Sequence, residues 1–447
     1  MKNILLIEPG YKNKYPPLGL MKISTFHKQK GHNVIFYKGC SAELRNQLWD
    51  RVYISTLFTF YWDITIKTIK YYYNSVGDPS HIIVGGVMAT LMKEEIQNEV
   101  DVTIVEGLLN QKEKLGYKDD DKIDNILPDY SIVDRKSNEL LDYSYPTNDS
   151  YIAYATRGCI RKCPFCAVPI IEPEFTNSLS IAKQVKAIKD NFGEKRNLLL
   201  LDNNILASED FPKIIDEIKS IGFKKGSKYL HKTNNKKVYL KRHVDFNQGI
   251  DARLLTKEKM ELLSEIAVDP LRIAFDNIKY KNIYIEKTRL AAEYGIRTLS
   301  NYILFNFRDT PEDFYERLKI NIELNEEFSD KGLKCLIWSF PMKYSPITGE
   351  FSKNRKYVGE HWNRKYLRGI QCVLLATHGV VGHKRQFFEK AFGKDVNEFM
   401  KILTLPENFI IYRKKHSDNG DTDELDAKVS SLNERQKHDL MRVVLSN

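Results

Sequence analysis

No run in this 447-residue chain approaches the eighteen-odd consecutive apolar residues that a bilayer span requires, so no membrane segment is expected. Cysteine is scarce: there are six, and Cys40, Cys335 and Cys372 stand far apart. The opening apolar run, residues 4–7, is too short for a secretory signal and is ended at once by Glu8-Pro9-Gly10. A disulfide framework is therefore not expected, and a reducing, cytoplasmic setting is. Internal repeats and low-complexity tracts are absent. Acid is in short supply relative to base, 59 Asp and Glu against 69 Lys and Arg, for a net charge of +10. Such a surplus attracts phosphate-bearing partners at long range. Lys, Asn, Ile and Tyr are all plentiful, however, as AT-rich codons would make them, so charge alone does not establish a nucleic-acid surface.

What is present alternates in type. In the first hundred residues short apolar runs at 3–7, 34–37, 52–57, 81–84 and 102–105 read as buried strands, and helical spacing occupies 18–30, 64–73 and 90–97. Strand and helix at this rhythm predict a doubly wound, Rossmann-like parallel sheet over residues 1–110, with ligands beyond the strand carboxyl ends. Those ends carry Glu8, Tyr11, Ser55, Thr56 and Gly85-Gly86. Residues 111–150 break the rhythm and read as a linker. Strands expected at 151–156, 198–202, 244–248, 271–275, 298–304 and 334–340, with helices between them, predict a partial barrel over 151–345, with active residues at its strand carboxyl ends. Thr310-Pro311-Glu312-Asp313 marks one helix start, placing a capping hydroxyl, a first-turn proline and two carboxylates in order. A basic segment at 222–242 reads as a solvated hairpin, with an RNA-touching surface as the other reading. Residues 346–447 read as helical, ending in a charged and mobile stretch.

The chemistry is concentrated in Ala155-Thr156-Arg157-Gly158-Cys159-Ile160-Arg161-Lys162-Cys163-Pro164-Phe165-Cys166, just after the first barrel strand. Thiolates are the usual ligands of iron–sulfur clusters, four to a cubane; three leave one iron open to bind a substrate. Structural zinc would need a fourth ligand, and this loop holds neither Asp nor His.

C-x3-C-x2-C with an aromatic before the last cysteine, on the loop after the first strand of a partial barrel, resembles the radical S-adenosylmethionine superfamily. The resemblance implies a [4Fe–4S] cluster on Cys159, Cys163 and Cys166, with Phe165 beside it. The open iron would chelate the methionine moiety of S-adenosylmethionine, and an electron from a flavodoxin- or ferredoxin-type donor would cleave it to a 5′-deoxyadenosyl radical. By position, Asp202, Asn203 and Asn204 stand where family members hold the methionine ammonium, departing from the Gly-Gly-Glu-like consensus. Gln248 and Asp251 would meet the ribose, and Arg253 the carboxylate. Asp276 and Asn277 replace a common Glu-Ser, and Asn306 lies where backbone meets adenine.

The front domain resembles the cobalamin-binding domain that precedes many such barrels, through Pro16-Pro17-Leu18-Gly19-Leu20, Ser55-Thr56-Leu57 and Gly85-Gly86. The Asp-x-His-x-x-Gly signature is missing, since His27, His32 and His81 lack its frame, so the expectation is a domain that keeps the fold, does without cobalamin and closes over substrate. Tyr11 and Tyr15 crowd the expected groove. Two function classes and a bland third follow: a radical enzyme on a small nucleoside-type molecule, a radical modifier of RNA or protein such as a methylthiotransferase, and a zinc-stapled binding protein. Cys40 alone cannot supply a second cluster, and a helical tail is not an RNA-gripping β-barrel, which favours the first. In architecture and length the chain is similar to the queuosine-salvaging lyases, which implies release of queuine from queuosine or its 5′-phosphate, with Glu8, Tyr11, Tyr15, Ser55 and Thr56 as candidate substrate contacts.

Overall fold

The computed structural model describes residues 1–177, 180–233 and 236–446; residues 234 and 235 of the basic segment lie outside them. The chain forms two compact units. The first comprises Met1–Gln248, Glu265–Ala267 and Ser345–Lys356; the second comprises Gly249–Ser264, Val268–Tyr344 and Tyr357–Asn447. The division thus falls after Gln248, within the stretch expected to be one barrel, rather than at residue 150.

In the first unit β1 (Asn3–Glu8), β2 (Asn33–Lys38), β3 (Arg51–Thr56), β4 (Ile82–Gly86) and β5 (Thr103–Val105) make one parallel sheet in the order β2-β1-β3-β4-β5. This is a doubly wound order whose switch point lies between β1 and β3. Ile4–Ile7 of the interior strand β1 are fully buried, as a strand covered on both faces requires. Helix α1 (Leu18–Gln29) buries Leu20, Met21, Ile23 and Phe26.

The segment expected as a linker is instead part of this core. Asp129 accepts from Ser24 Oγ at 2.7 Å and pairs with Lys28 at 2.7 Å, while Tyr130 and Tyr145 are buried. Its polar and aromatic residues hide no strand or helix periodicity because they are matched to partners about a hundred residues away.

β6 (Ser150–Ala153) leads into a two-stranded antiparallel pair, β7 (Thr156–Arg157) with β8 (Thr176–Asn177), that closes off the cysteine loop. β6 pairs in parallel with β9 (Asn197–Leu200). β10 (Lys228–Thr233) and β11 (Lys236–Lys241) form an antiparallel ribbon, and β12 (Val244–Phe246) completes a parallel sheet β12-β9-β6.

In the second unit β13 (Leu271–Arg272), β14 (Thr298–Phe305) and β15 (Leu336–Lys343) form a second parallel three-stranded sheet. The six strands and intervening helices follow the expected β/α order. Thr310 caps the helix Pro311–Asp330 as its sequence requires: Asp313 N donates to Thr310 Oγ1 at 3.1 Å and Thr310 N to Asp313 Oδ2 at 3.2 Å. Residues 364–446 are helical through Glu434–Ser446.

Candidate functional site

The cysteine loop starts where β6 runs out, and its first residues are held from the neighbouring strand. Asp202, just past β9, accepts from Ala155 N at 2.9 Å, Thr156 N at 2.6 Å and Thr156 Oγ1 at 2.8 Å, all on one oxygen. Burial pushes its carboxyl up to about 6, against the lowering effect of those bonds. Arg157 lies over the Tyr154 ring at 4.4 Å and pairs with Asp124 at 3.0 Å and Glu172 at 3.2 Å. Glu172 also accepts from Gly158 N at 2.7 Å and Asn203 Nδ2 at 2.9 Å. Gly158 has φ +71°, and a Cβ there would lie 2.1 Å from Glu174 O, so only glycine fits before the first cysteine.

Cys159, Cys163 and Cys166 are half-exposed, and none of the six cysteines is in a disulfide. Cys159 Sγ accepts from Arg161 N at 3.3 Å and from Asn204 Nδ2 at 3.4 Å, and Cys166 N closes a turn on Cys163 O at 3.0 Å. Phe165 is half-buried beside Cys166. By contrast Cys335 and Cys372 are buried, which pushes the Cys335 thiol up to about 12 and raises that of Cys372. Neither offers a thiolate ligand at neutral pH.

Three thiols within one loop are a donor set of the chemistry a cubane takes, one thiolate at each iron. Among the described residues no three His, Cys, Asp or Glu side chains converge as the ligands of a single ion would. Beside the loop, Asp202 Oδ2 and Asn204 Oδ1 are buried acceptors with no hydrogen-bond partner among the described residues. Two such atoms at one strand end are a cost that a cationic ligand group would remove.

The remaining expected contacts divide by unit. Gln248 ends the first unit, exposed in the turn after β12. In the second, Arg253 makes its two-pronged bond to Asp251, Nε to Oδ1 at 2.6 Å and Nη2 to Oδ2 at 2.9 Å, with Nη1 donating to Tyr280 Oη at 3.2 Å. Asn277 caps the backbone N–H of Lys279 at 2.9 Å. Asn306, at φ +68°, bonds Tyr344 O, Tyr357 O and Gly359 N. Desolvation pushes the Asp276 carboxyl up to about 6 against the Arg317 charge. Arg317, fully buried, donates to Phe275 O and Asp276 O and pairs with Asp309 at 2.7 Å; sequence reading passed over it because it stands on a helix ordinary in pattern.

Three proposed substrate contacts are spent inside the fold. Glu8 is buried and takes bonds from Lys38 at 2.6 Å, Asn13 at 2.8 Å and Tyr145. Tyr11 is buried, its hydroxyl 2.5 Å from Thr65 and its ring tilted on Tyr61. Thr56 donates to Gly85 O and accepts from Ala89 N, both at 2.9 Å. These corrections share one cause: strand-end polar residues satisfied one another before any ligand could. Tyr15 is half-buried and accepts from Asn247 Nδ2 at 2.9 Å, which ties the front loop to the end of β12.

Two cavities open at the strand ends of the first unit. One of about 310 Å³ is bordered by Pro17, Ser55, Gly86, Gly107 and Arg157. The other, of about 660 Å³, is bordered by Glu106, Lys114, Arg157, Glu172 and Glu174. Arg157, two residues before Cys159, lines both. Sequence reading also missed Asp124 and Glu172, the partners of Arg157; the carboxylate following the cysteines in Ile171-Glu172-Pro173 was the available signal.

No family model and no curated protein matches the chain. A solved structure described as the cobalamin-dependent S-adenosylmethionine radical enzyme OxsB with aqua-cobalamin bound is similar over 79% of this chain and 55% of that one, at 14% identity and a TM-score of 0.48. The crystal structure of HydG, a maturase of the [FeFe]-hydrogenase, is similar over 47% of each chain, at 15% identity and a TM-score of 0.32. The chain thus spans about half the length of each. Both likenesses are distant.

Proposed function

We propose that the chain is a radical S-adenosylmethionine enzyme whose [4Fe–4S] cluster is held by Cys159, Cys163 and Cys166. The observation that carries this reading is the pair of unpartnered buried acceptors, Asp202 Oδ2 and Asn204 Oδ1, beside a three-thiol loop at a strand carboxyl end. When bound and reduced by a flavodoxin- or ferredoxin-type donor, the cluster supplies one electron that splits S-adenosylmethionine into methionine and a 5′-deoxyadenosyl radical.

The chain's own residues do the positioning. Asp202 and Asn204, both in the first unit, receive the methionine ammonium. Gly158 and the Glu172 bonds fix the loop, so that the cysteines are presented rather than searched for. Arg161 N and Asn204 Nδ2 donate to the Cys159 sulfur and hold it in place.

The substrate in this reading is a nucleoside-type molecule, and the reaction a lyase cleavage that releases queuine from queuosine or its 5′-phosphate. A 7-deazapurine lacks the ring nitrogen whose protonation makes an ordinary purine a good leaving group. Hydrogen abstraction from the ribose, giving 5′-deoxyadenosine, would put a radical beside the glycosidic carbon. The C–N bond would then break to leave an unsaturated sugar, with one further electron from the flavodoxin- or ferredoxin-type donor and a proton releasing the base as queuine. Ser55 is the candidate contact that borders a strand-end cavity, with Arg157 and Lys114 supplying positive charge for a 5′-phosphate. The test is anaerobic incubation of reduced, cluster-loaded protein with S-adenosylmethionine and queuosine or its 5′-phosphate. Free queuine together with 5′-deoxyadenosine is expected; an intact cluster yielding neither sinks the lyase assignment.

A further inference from the structure

The whole chain has a net charge of +10, and residues 222–242 alone carry eight Lys and Arg without one Asp or Glu. A compositional bias toward lysine would spread its charge along the chain with carboxylates interleaved. Here the cations are gathered on the β10–β11 ribbon.

The ribbon's register decides which side chains share a face. Lys228 stands opposite Lys241, Leu230 opposite Tyr239, and Lys232 opposite Lys237. Alternation puts these six on one side. The four lysines are exposed and, among the described residues, none is in an ion pair; Tyr239 between them is 67% exposed. Like charges directly opposite across a ladder are destabilising, and a two-stranded ribbon is marginal in water to begin with. The base is well fastened: Arg242 is buried, lies 4.8 Å from the centre of the Phe223 ring and pairs with Glu194, and its N–H donates to Ser227 O at 3.0 Å. The fold therefore holds out two lysine pairs, roughly 13 Å apart at the strand repeat, with an exposed aromatic ring between them.

We propose that this ribbon face docks single-stranded RNA, with phosphates on Lys228, Lys232, Lys237 and Lys241 and an unpaired base stacked on Tyr239. Phosphates relieve the cross-strand repulsion, which an apolar partner would not. The ring argues for an unpaired base over a duplex or an acidic peptide, since a stacking platform is useful only to a splayed base, and RNA loops present those. The surface needs neither the cluster nor S-adenosylmethionine, so its failure and that of the proposed chemistry are separable.

The test is fluorescence anisotropy of the full chain with a labelled, unstructured 15-nucleotide RNA between 50 and 300 mM NaCl. Binding is expected with a log–log salt slope of roughly −3, the value for four neutralised phosphates on a single strand. Replacing the four lysines by Gln should flatten that slope and weaken binding at least ~10-fold, while replacing them by Arg preserves both. Tyr239→Ala should weaken binding about tenfold with the slope unchanged, and Tyr239→Phe should restore it. Exposed substitutions of this kind leave the melting temperature as a check on folding. Wild-type affinity and slope in the Gln variant would overturn the proposal. Equal affinity for DNA of the same sequence would overturn the assignment to RNA, and displacement by polyglutamate at matched charge would reassign the face to an acidic protein.

Discussion

The side-chain amide of Asn204 donates to the sulfur of Cys159 at 3.4 Å while its carbonyl oxygen, buried beside it, has no partner among the described residues. Asn204, four residues past the end of β9, would thus face both Cys159 and the place proposed for the methionine ammonium. Hydrogen bonds to cluster sulfur stabilise the more negative, reduced state and raise the potential. Asn204→Leu should lower the midpoint potential by about 20–60 mV, the equivalent of one ordinary hydrogen bond in a one-electron couple. A redox titration followed by electron paramagnetic resonance reads this directly, and an unchanged potential would remove Asn204 from the role.

Iron content separates the cysteines. Cys159→Ala, Cys163→Ala and Cys166→Ala should each lose the cubane after anaerobic reconstitution. Cys40→Ala, Cys335→Ala and Cys372→Ala should keep about four irons, although the two buried replacements cost some thermal stability. A triple variant of the loop that retained full iron would sink the cluster assignment.

Gly158→Ala places a methyl group 2.1 Å from Glu174 O at a left-handed backbone position. The conformation alone costs about 1–2 kcal/mol, and the clash must be relieved by opening the β7–β8 pair. The expected outcome is a lower melting temperature together with poor iron incorporation. If iron loading is normal, the loop is less tightly specified than its contacts imply.

Asp202 gives a pH signature. Its folded carboxyl, pushed up to about 6 by burial, lies above the ordinary carboxylate value of 3.8. The folded state therefore binds the proton more tightly than the unfolded one. Its contribution is fully present below about pH 4 and is lost as pH rises through 6, about 2–3 kcal/mol in all. Asp202→Asn keeps an oxygen for Ala155 and Thr156 without the charge. In the protein without its cluster, urea unfolding should show this variant gaining on wild type at pH 7.5 and losing that advantage at pH 5. Its affinity for S-adenosylmethionine should fall at both. A stability difference independent of pH would show that Asp202 is not the titrating group.

Cobalamin should be dispensable for turnover. His27, the imidazole best placed by burial, is committed through Nε2 to Tyr53 Oη at 2.9 Å and through Nδ1 to His32 at 2.8 Å. Burial and the neighbouring imidazole and cations hold its pKa down to about 3. Protein produced without corrinoid should release 5′-deoxyadenosine with or without added cobalamin, and a strict requirement for it would defeat the expectation.

The parts legible in sequence were those whose cause lies within a few residues. The Thr310–Asp313 cap is a bond between neighbours three apart, and its chemistry is complete in the tetrapeptide. The five front strands and the β/α order came from burial periodicity, and the spacing of Cys159, Cys163 and Cys166 is set by the loop itself. The parts that were not legible depend on partners far along the chain. Glu8 read as a ligand contact until Lys38 and Tyr145 were found to occupy it, the latter from a segment that looked like a linker. Asp251 and Arg253 read as two ligands, and the fold pairs them with each other. Asn204 offered only a polar side chain; the sheet pairing of β9 with β6 put it against Cys159. A buried polar group must find a partner, and which partner it finds among residues a hundred positions away is decided by packing, which no local pattern contains.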